Sequence, residues 1–473
     1  MKMFRLAFLI LTLLSSISFF SQESKIPFTG LKESFLLKNE ITKAEILFLS
    51  NKKSQLAYQI TNQNQVIDSM QIGSVNKKYN ELIAYTFGKD NATLFYTNAR
   101  KRELFIQKLS FDSKTTTQEI ISFPYNNSEF VTSYQKGDTF YLVSIVPNKN
   151  VLDIYVFNNN GEYKKEEISF ESVSLLNFEN IEMNFYDLIA SKFNMSDKGV
   201  QFETIDPESY TSLSFASSER KSYIKDGKII LSIDQNPNQT YLFTLDLDAF
   251  TYELKTISLP KYAEKITVAT NSFILDDKIY LTKISSNGIY FIIKDFNDKL
   301  IKEYFTKNDT EIDYKLTPIS QLNGEFTSHR EIENTNQFIR KSLNNKSAIT
   351  VYKTNGNLLV TLGAVSQEKP KVMYGAAFGL VGALVYVAIQ NPTLNNLDAY
   401  ANRKVIYFNT LLNEQGNTIK GSIPVLAYEK INNFIKEGKN NYTNFTLSTS
   451  GNKYSLGYYN NKTKTFEFKI FED

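Results

Sequence analysis

The sequence predicts an all-β protein assembled from repeated four-stranded units, and three observations carry that expectation. Hydrophobic residues alternate with a period of two over many short segments, turn signals separate those segments in a recurring order, and several units share a proline-marked ending. Alternation places every second side chain on one face of a pleated strand. In Ile229-Ile230-Leu231-Ser232-Ile233, positions 229, 231 and 233 share a face. Tyr241, Phe243, Leu245 and Leu247 point one way, while Leu242, Thr244, Asp246 and Asp248 point the other. Phe466, Phe468 and Ile470 alternate with Thr465, Glu467 and Lys469. No helical period extends over a comparably long span.

The strands recur in a fixed order. A strand ends at the polar turn Gln135-Lys136-Gly137-Asp138, and a second runs from Thr139 to Val146. A third, Val151 to Phe157, stops at Asn158-Asn159-Asn160-Gly161, a strong turn signal, and a fourth runs from Tyr163 to Phe170. The same order fits Lys32–Ser74, Glu81–Pro124, Phe130–Phe170, Ser218–Pro260, Lys265–Thr306, Ala348–Pro424 and Asn444–Asp473. A lone four-stranded meander leaves apolar faces in water, and packing such sheets radially covers them. Fourth strands end in Ser122-Phe123-Pro124, Ser258-Leu259-Pro260 and Ser422-Ile423-Pro424, where proline suits an outer edge strand. The last unit stops after its third strand, Thr465–Phe471, and the mature N-terminus carries a similar Lys25-Ile26-Pro27. The N-terminal strand is therefore expected to complete the last unit and close a ring without a disulfide.

On these features the chain resembles β-propellers over 22–473. The resemblance rests on strand order alone. There is no Trp-Asp repeat and no paired-glycine repeat, so no family's functional residues carry over. It implies a single propeller domain of seven four-stranded blades, with six or eight left open because 171–217 and 307–347 fit no unit. Those stretches, with 365–403, read as insertions.

Composition narrows the functional classes. Lys plus Arg number 53 against 50 Asp plus Glu, a balance that argues against nucleic acid as a partner. With no cysteine, disulfides, thiolate nucleophiles and zinc–thiolate sites are excluded. The one histidine, His329, sits in a polar stretch beside Arg330 and reads as a surface residue. No cofactor or metal site is expected. Lys2 and Arg5 precede an apolar run from Leu6 to Leu14, continuing to Phe20, before Ser21-Gln22 opens polar sequence. Residues 1–21 thus read as a secretory signal peptide, with an uncleaved anchor as the alternative. The protein is expected to be exported: periplasmic, associated with the outer envelope, or secreted.

One insertion stands apart. Met373 to Ile389 contains no charged residue, and Gly375, Gly379 and Gly382 fall at helical spacing. At 1.5 Å per residue a helix here would reach only about 25 Å, and both flanks return to one blade, which argues against a membrane span. The run reads as a self-packed cap, as an apolar surface for a protein partner or self-association, or as a membrane-surface contact, the last disfavoured by the lack of a basic face. Its candidate interaction residues are Met373, Tyr374, Phe378, Leu380, Val381, Leu384 and Tyr386. Asp295-Phe296-Asn297-Asp298 has calcium-like oxygen spacing but sits where a hairpin turn is expected, as does Asp276-Asp277. Asp246 and Asp248 read as a solvated strand face. The function expected is a non-catalytic binding scaffold. The alternative is a carbohydrate-active enzyme whose Asp or Glu residues converge near the ring axis.

Overall fold

The computed structural model describes residues 25–473, apart from 40–41, 77, 80, 89, 99, 126, 192–198, 262–265, 324–328, 367–393, 395, 398–403 and 439–440. Residues 1–21 lie outside that range. Among the described residues, seven sheets of four or five strands follow one another along the chain. In chain order they span 33–72, 81–122, 129–169, 203–258, 268–307 and 319–412, and the last joins 442–472 to Lys25–Pro27. The fold is a β-propeller, and these sheets are its blades, numbered one to seven in that order.

The reason the blades stack is visible in blade three. On its second strand, Thr139–Ile145, the side chains of Phe140 and Leu142 enter a cluster shared with blade two. The intervening Tyr141, Val143 and Ile145 enter a cluster shared with blade four. Period-two alternation here sorts side chains between two neighbouring sheets, since both faces are covered. Outer strands face solvent instead, as in Thr115–Ser122, where most positions are exposed. Apolar clusters occupy every junction between consecutive blades. Phe48 and Leu94 join blades one and two, Ile230 and Phe273 blades four and five, Tyr352 and Leu456 blades six and seven. Leu47 and Phe466 join blade seven back to blade one.

The chain ends close the ring as the sequence predicts. Lys25–Pro27 pairs antiparallel with the third strand of blade seven, Ile26 opposite Phe466 and Lys25 opposite Glu467. Pro27 takes the outer edge, where its missing N–H breaks no ladder. Ile26 is buried against Phe466, Phe468 and Tyr58. Phe28 donates its N–H to Lys464 O (3.0 Å) and its carbonyl accepts the Tyr459 hydroxyl (2.9 Å). Nearer the axis, Ser34 Oγ donates to Asn444 O at 3.0 Å and Lys38 Nζ to Thr449 O at 2.7 Å. Glu467 is buried beside this clasp. Burial pushes its carboxyl up, but hydroxyl donors on Thr465, Thr463 and Tyr458 and the charge of Lys25 carry it below the usual glutamate value.

The insertions depart from the expected four-strand units. The 171–217 stretch supplies a two-stranded ribbon (Leu175–Leu176 with Glu182–Met183), helix α1 (Phe185–Ala190) and helix α2 (Leu213–Ala216). It also gives blade four a fifth strand, Glu203–Ile205, parallel to Arg220–Lys225. The 307–347 stretch is no extra blade: it carries helix α3 (Thr335–Leu343) and the outer strands of blade six. Ile319–Asn323 pairs antiparallel with Lys404–Leu412, and His329–Ile332 pairs outside it. The expectation of a fourth strand ending at Ser422-Ile423-Pro424 is therefore corrected, because the outer position was already filled from earlier in the chain. The Ser-x-Pro endings at Pro124 and Pro260 do follow strands, Thr115–Ser122 and Thr251–Ser258.

In place of that strand, the chain leaves blade six through helix α4 (Ala427–Gly438). Tyr428, Ile431 and Ile435 are buried at i, i+3 and i+7 in the cluster between blades six and seven. Twelve residues of helix cover about 18 Å, a little over half the length of a nine-residue blade strand.

The clasp yields two testable expectations. Ile26→Ala should cost about 2 kcal/mol, the low end for such a truncation because an edge strand can relax, read from the urea midpoint. Glu467 has a lowered folded value, so its contribution to stability is complete above the unfolded glutamate range and fades as pH falls through the folded value. Glu467→Gln should flatten that acid limb in urea melts run from pH 7 to pH 3. An unchanged limb would show that Glu467 does not hold the clasp.

Candidate functional site

Antiparallel order puts the first-to-second and third-to-fourth turns of each blade on one face of the ring, the turn face. The second-to-third connections and the crossovers between blades lie on the other, the crossover face. The insertion of blade six joins its second strand, Asn357–Val365, to its third, Lys404–Leu412, so it leaves and returns on the crossover face. Its stem is fully paired. Val365 lies opposite Val405, and Ser366 N–H donates to Lys404 O at 2.9 Å. Close pairing here depends on Gly363: a Cβ at this position would fall 2.1 Å from Ile406 O.

The predicted interaction residues Met373, Tyr374, Phe378, Leu380, Val381, Leu384 and Tyr386 lie outside the described residues. The returning leg is described at Leu394, Asn396 and Leu397. Asn396 and Leu397 are both buried between blades six and seven. Asn396 Nδ2 donates to Tyr210 O, and its Oδ1 accepts Ser212 N–H at 2.7 Å. Tyr210 N–H donates to Tyr454 Oη at 2.9 Å. The Tyr352 hydroxyl donates to the Asp473 carboxylate, whose other oxygen accepts Ala427 N–H at 2.8 Å and so caps α4. The rings of Tyr210 and Tyr428 are 5.4 Å apart, and those of Tyr428 and Tyr454 5.3 Å. Burial pushes Tyr454 up to about 12 and raises Tyr352 and Tyr428 well above the ordinary phenol, so these hydroxyls stay neutral donors.

The segment that supports Asn396 is itself tied down. From Glu203–Ile205 beside blade four it reaches Tyr210 and Ser212 at blades six and seven, then returns through α2, which packs on blade six. At its end Arg220 donates to Ile189 O (2.7 Å) and Gly199 O (2.5 Å). Lys221 and Asp234 form a fully buried pair at 2.7 Å. Asp234 also accepts from Thr240 Oγ1 (2.7 Å), Ser272 N–H (3.0 Å) and Ser272 Oγ (2.9 Å). With its lone pairs met, removing one partner would leave a buried charge, at a cost of about 3–5 kcal/mol. Lys283 is buried too. Desolvation lowers its amine to about 8, and it donates to the carbonyls of Pro237 (2.7 Å) and Pro260 (2.6 Å).

The remaining sequence candidates fall in separate places. Asp295 Oδ1 accepts the N–H groups of Asn297 (2.8 Å) and Lys299 (3.0 Å), and Asp298 has a left-handed φ of 62°, so this stretch is the expected hairpin turn. Asp276, with φ 54°, turns the chain between two strands of blade five. Asp246 is pulled down to about 2 by Lys228 at 2.9 Å and by the N–H groups of Ala249 and Asp248. Asp248 pairs with Lys136 at 2.6 Å. His329 opens a strand and lies opposite Leu322. Asp153, buried, pairs with Lys165 at 2.9 Å. Among the described residues no group of three or more His, Cys, Asp and Glu gathers, and no helix is long and apolar enough to cross a membrane. Sequence reasoning missed Tyr210, Asn396 and Asp473. The only available signal was the helical spacing of Tyr428, Ile431 and Ile435, which announces the packing surface they meet.

No family model and no curated protein matches the chain. Among solved structures, the chain is similar to the WD40 domain of SCAP from fission yeast, at 10% identity and a TM-score of 0.31, covering 95% of this chain and 90% of that one. It is similar to prolyl endopeptidases at 8% identity and a TM-score of 0.31, covering 93% of this chain and 50% of theirs. Cobalt-substituted Synechocystis ACO gives 8% identity and a TM-score of 0.27, over 60% of this chain and 63% of that one.

If Asn396 anchors the insertion, Asn396→Ala should leave Tyr210 O and Ser212 N–H unpaired. The expected loss is about 1–3 kcal/mol for each group, read by chemical denaturation. A variant as stable as the parent would show that this leg is not anchored through Asn396.

Proposed function

We propose that this β-propeller is exported and works as a non-catalytic binding scaffold, presenting the apolar run Met373–Ile389 to a protein partner or to a second copy of the chain. One observation supports the reading above others: the insertion rises from a stem paired through Val365 and Ser366 and is held on its return by the buried Asn396. A segment fixed at both ends to a rigid ring loses less conformational freedom on binding than a free loop does. The buried carboxylates Asp153, Asp234 and Glu467 are bonded to lysine or hydroxyl partners, which fits roles in holding the blades together. The run itself carries no charge and would bury apolar area at about 25 cal/mol per Å² when covered.

Replacing 373–389 with a short Gly-Ser turn tests the reading. The variant should keep its β-sheet circular dichroism and melting temperature. It should lose self-association in sedimentation or lose a saturable complex with an envelope protein that the parent forms. A folded variant whose sedimentation and binding match the parent would make the insertion structural only.

A further inference from the structure

We propose that the outer edge of blade two is a self-association surface, where two copies of the chain pair their Thr115–Ser122 strands antiparallel about a two-fold axis. The proposal does not rest on the function proposed for 373–389. An outer strand carries a row of backbone N–H and C=O groups that can template another strand, and folded proteins blunt such edges. The other blades here do so in recognisable ways. The outer strands of blades one and five are bulged, at Ile67 and at Ile301, where the register with the neighbouring strand slips by one residue. That of blade three carries Lys164, Lys165, Glu166 and Glu167 in succession, and that of blade four Glu253 and Lys255. The edges of blades six and seven are only four and three residues long, the latter ending in Pro27. Thr115–Ser122 has none of these devices. Its eight residues run in unbroken register with Glu103–Ser110, without proline or lysine, and Glu119 is the one charge. Lys108 of the same blade lies 2.7 Å from that carboxylate and neutralises it. Ile120 is 58% exposed.

Strand geometry and charge select a second copy as the occupant. Phe123 N–H donates to Arg102 O at 2.8 Å, so by alternation Thr117, Glu119 and Ile121 turn their backbone groups into the blade, and Thr116, Gln118 and Ile120 turn theirs outward. Two copies overlap along the whole strand in registers centred on Gln118 or on Glu119. A Glu119 centre sets two carboxylates directly opposite each other, which is unfavourable. A Gln118 centre opposes no like charges. It sets Ile120 against Thr116 and Ile121 against Thr115, and it aims the outward backbone groups of each copy at those of the other. Such a contact uses one patch twice and closes at two copies. A single strand pair falls below the about 1,200 Å² of a standard interface, so the association is weak and depends on concentration.

The lack of cysteine makes the register directly testable. Hydrogen-bonded cross-strand partners lie about 5.5 Å apart at Cα, within the reach of a disulfide. Mild oxidation of Gln118→Cys should therefore give a covalent dimer. Ile120→Cys should not, since its two copies would sit four residues, about 13 Å, apart along the pair. The parent should show a monomer–dimer equilibrium in sedimentation velocity at up to about 0.5 mM, the regime of a contact this small. Gln118→Lys opposes two ammonium groups across the axis and should weaken the dimer by about tenfold or more, with the circular dichroism and melting temperature of the parent. A parent that stays monomeric overturns the proposal. So does a dimer that folded Gln118→Lys leaves unchanged, and so does cross-linking as efficient through Ile120→Cys as through Gln118→Cys. If Gln118→Lys misfolds, the two cysteine variants decide. Replacing 373–389 should leave this dimer intact. A dimer lost with that segment belongs to the insertion and overturns the edge contact, so the two readings fail separately.

Discussion

Three antiparallel residue pairs, Lys25 opposite Glu467, Ile26 opposite Phe466 and Pro27 opposite Thr465, turn a row of sheets into a ring. Each blade has two apolar faces, so an open row would leave one face at each end in water. Joining the ends covers both at once, and the clasp acts on the whole molecule although it is only three residues long. The Tyr459 hydroxyl bonds Phe28 O across 431 positions of chain, so the last seam forms only after a large loop has closed. The fixed packing of blade one on blade seven presumes that closure.

The ring is not uniform. Between blades six and seven the sheets do not simply face one another, because α4, Tyr210 and the Asn396 leg fill the space between them. Such a filled seam costs buried polar groups, and the structure meets them with tyrosine hydroxyls, the Asn396 amide and the Asp473 carboxylate. The seam between blades four and five uses charge instead, with Lys221 and Asp234 buried as a pair and Lys283 held by two proline carbonyls. Both devices fix the geometry of segments that cross from one blade to another.

The repeat, the strand faces and the clasp were legible because each depends on local signals: period-two alternation, turn residues and a proline at an outer edge. Ser422-Ile423-Pro424 misled for the same reason. It carries the local mark of a fourth strand, but Ile319–Asn323 already occupies that edge, and an occupied edge leaves no trace in the residues that were displaced. Helix α4 was present in the spacing of Tyr428, Ile431 and Ile435, yet a single twelve-residue helix was hidden among strand-rich neighbours. Asn396 gave no signal at all, since an asparagine in polar sequence is defined by its partners, and Tyr210 and Ser212 lie 186 and 184 positions away.

The amino-acid order alone determined an all-β chain of repeated sheets, a ring closed by its own ends, and the exclusion of thiolate chemistry. Those properties come from hydrophobic period and composition, which are read residue by residue. Tertiary structure decided which segment fills each sheet edge, which seam admits a helix, and where Tyr210, Asn396 and Asp473 come together. These depend on which distant segments compete for the same space, and that competition is settled by packing and not by any local pattern.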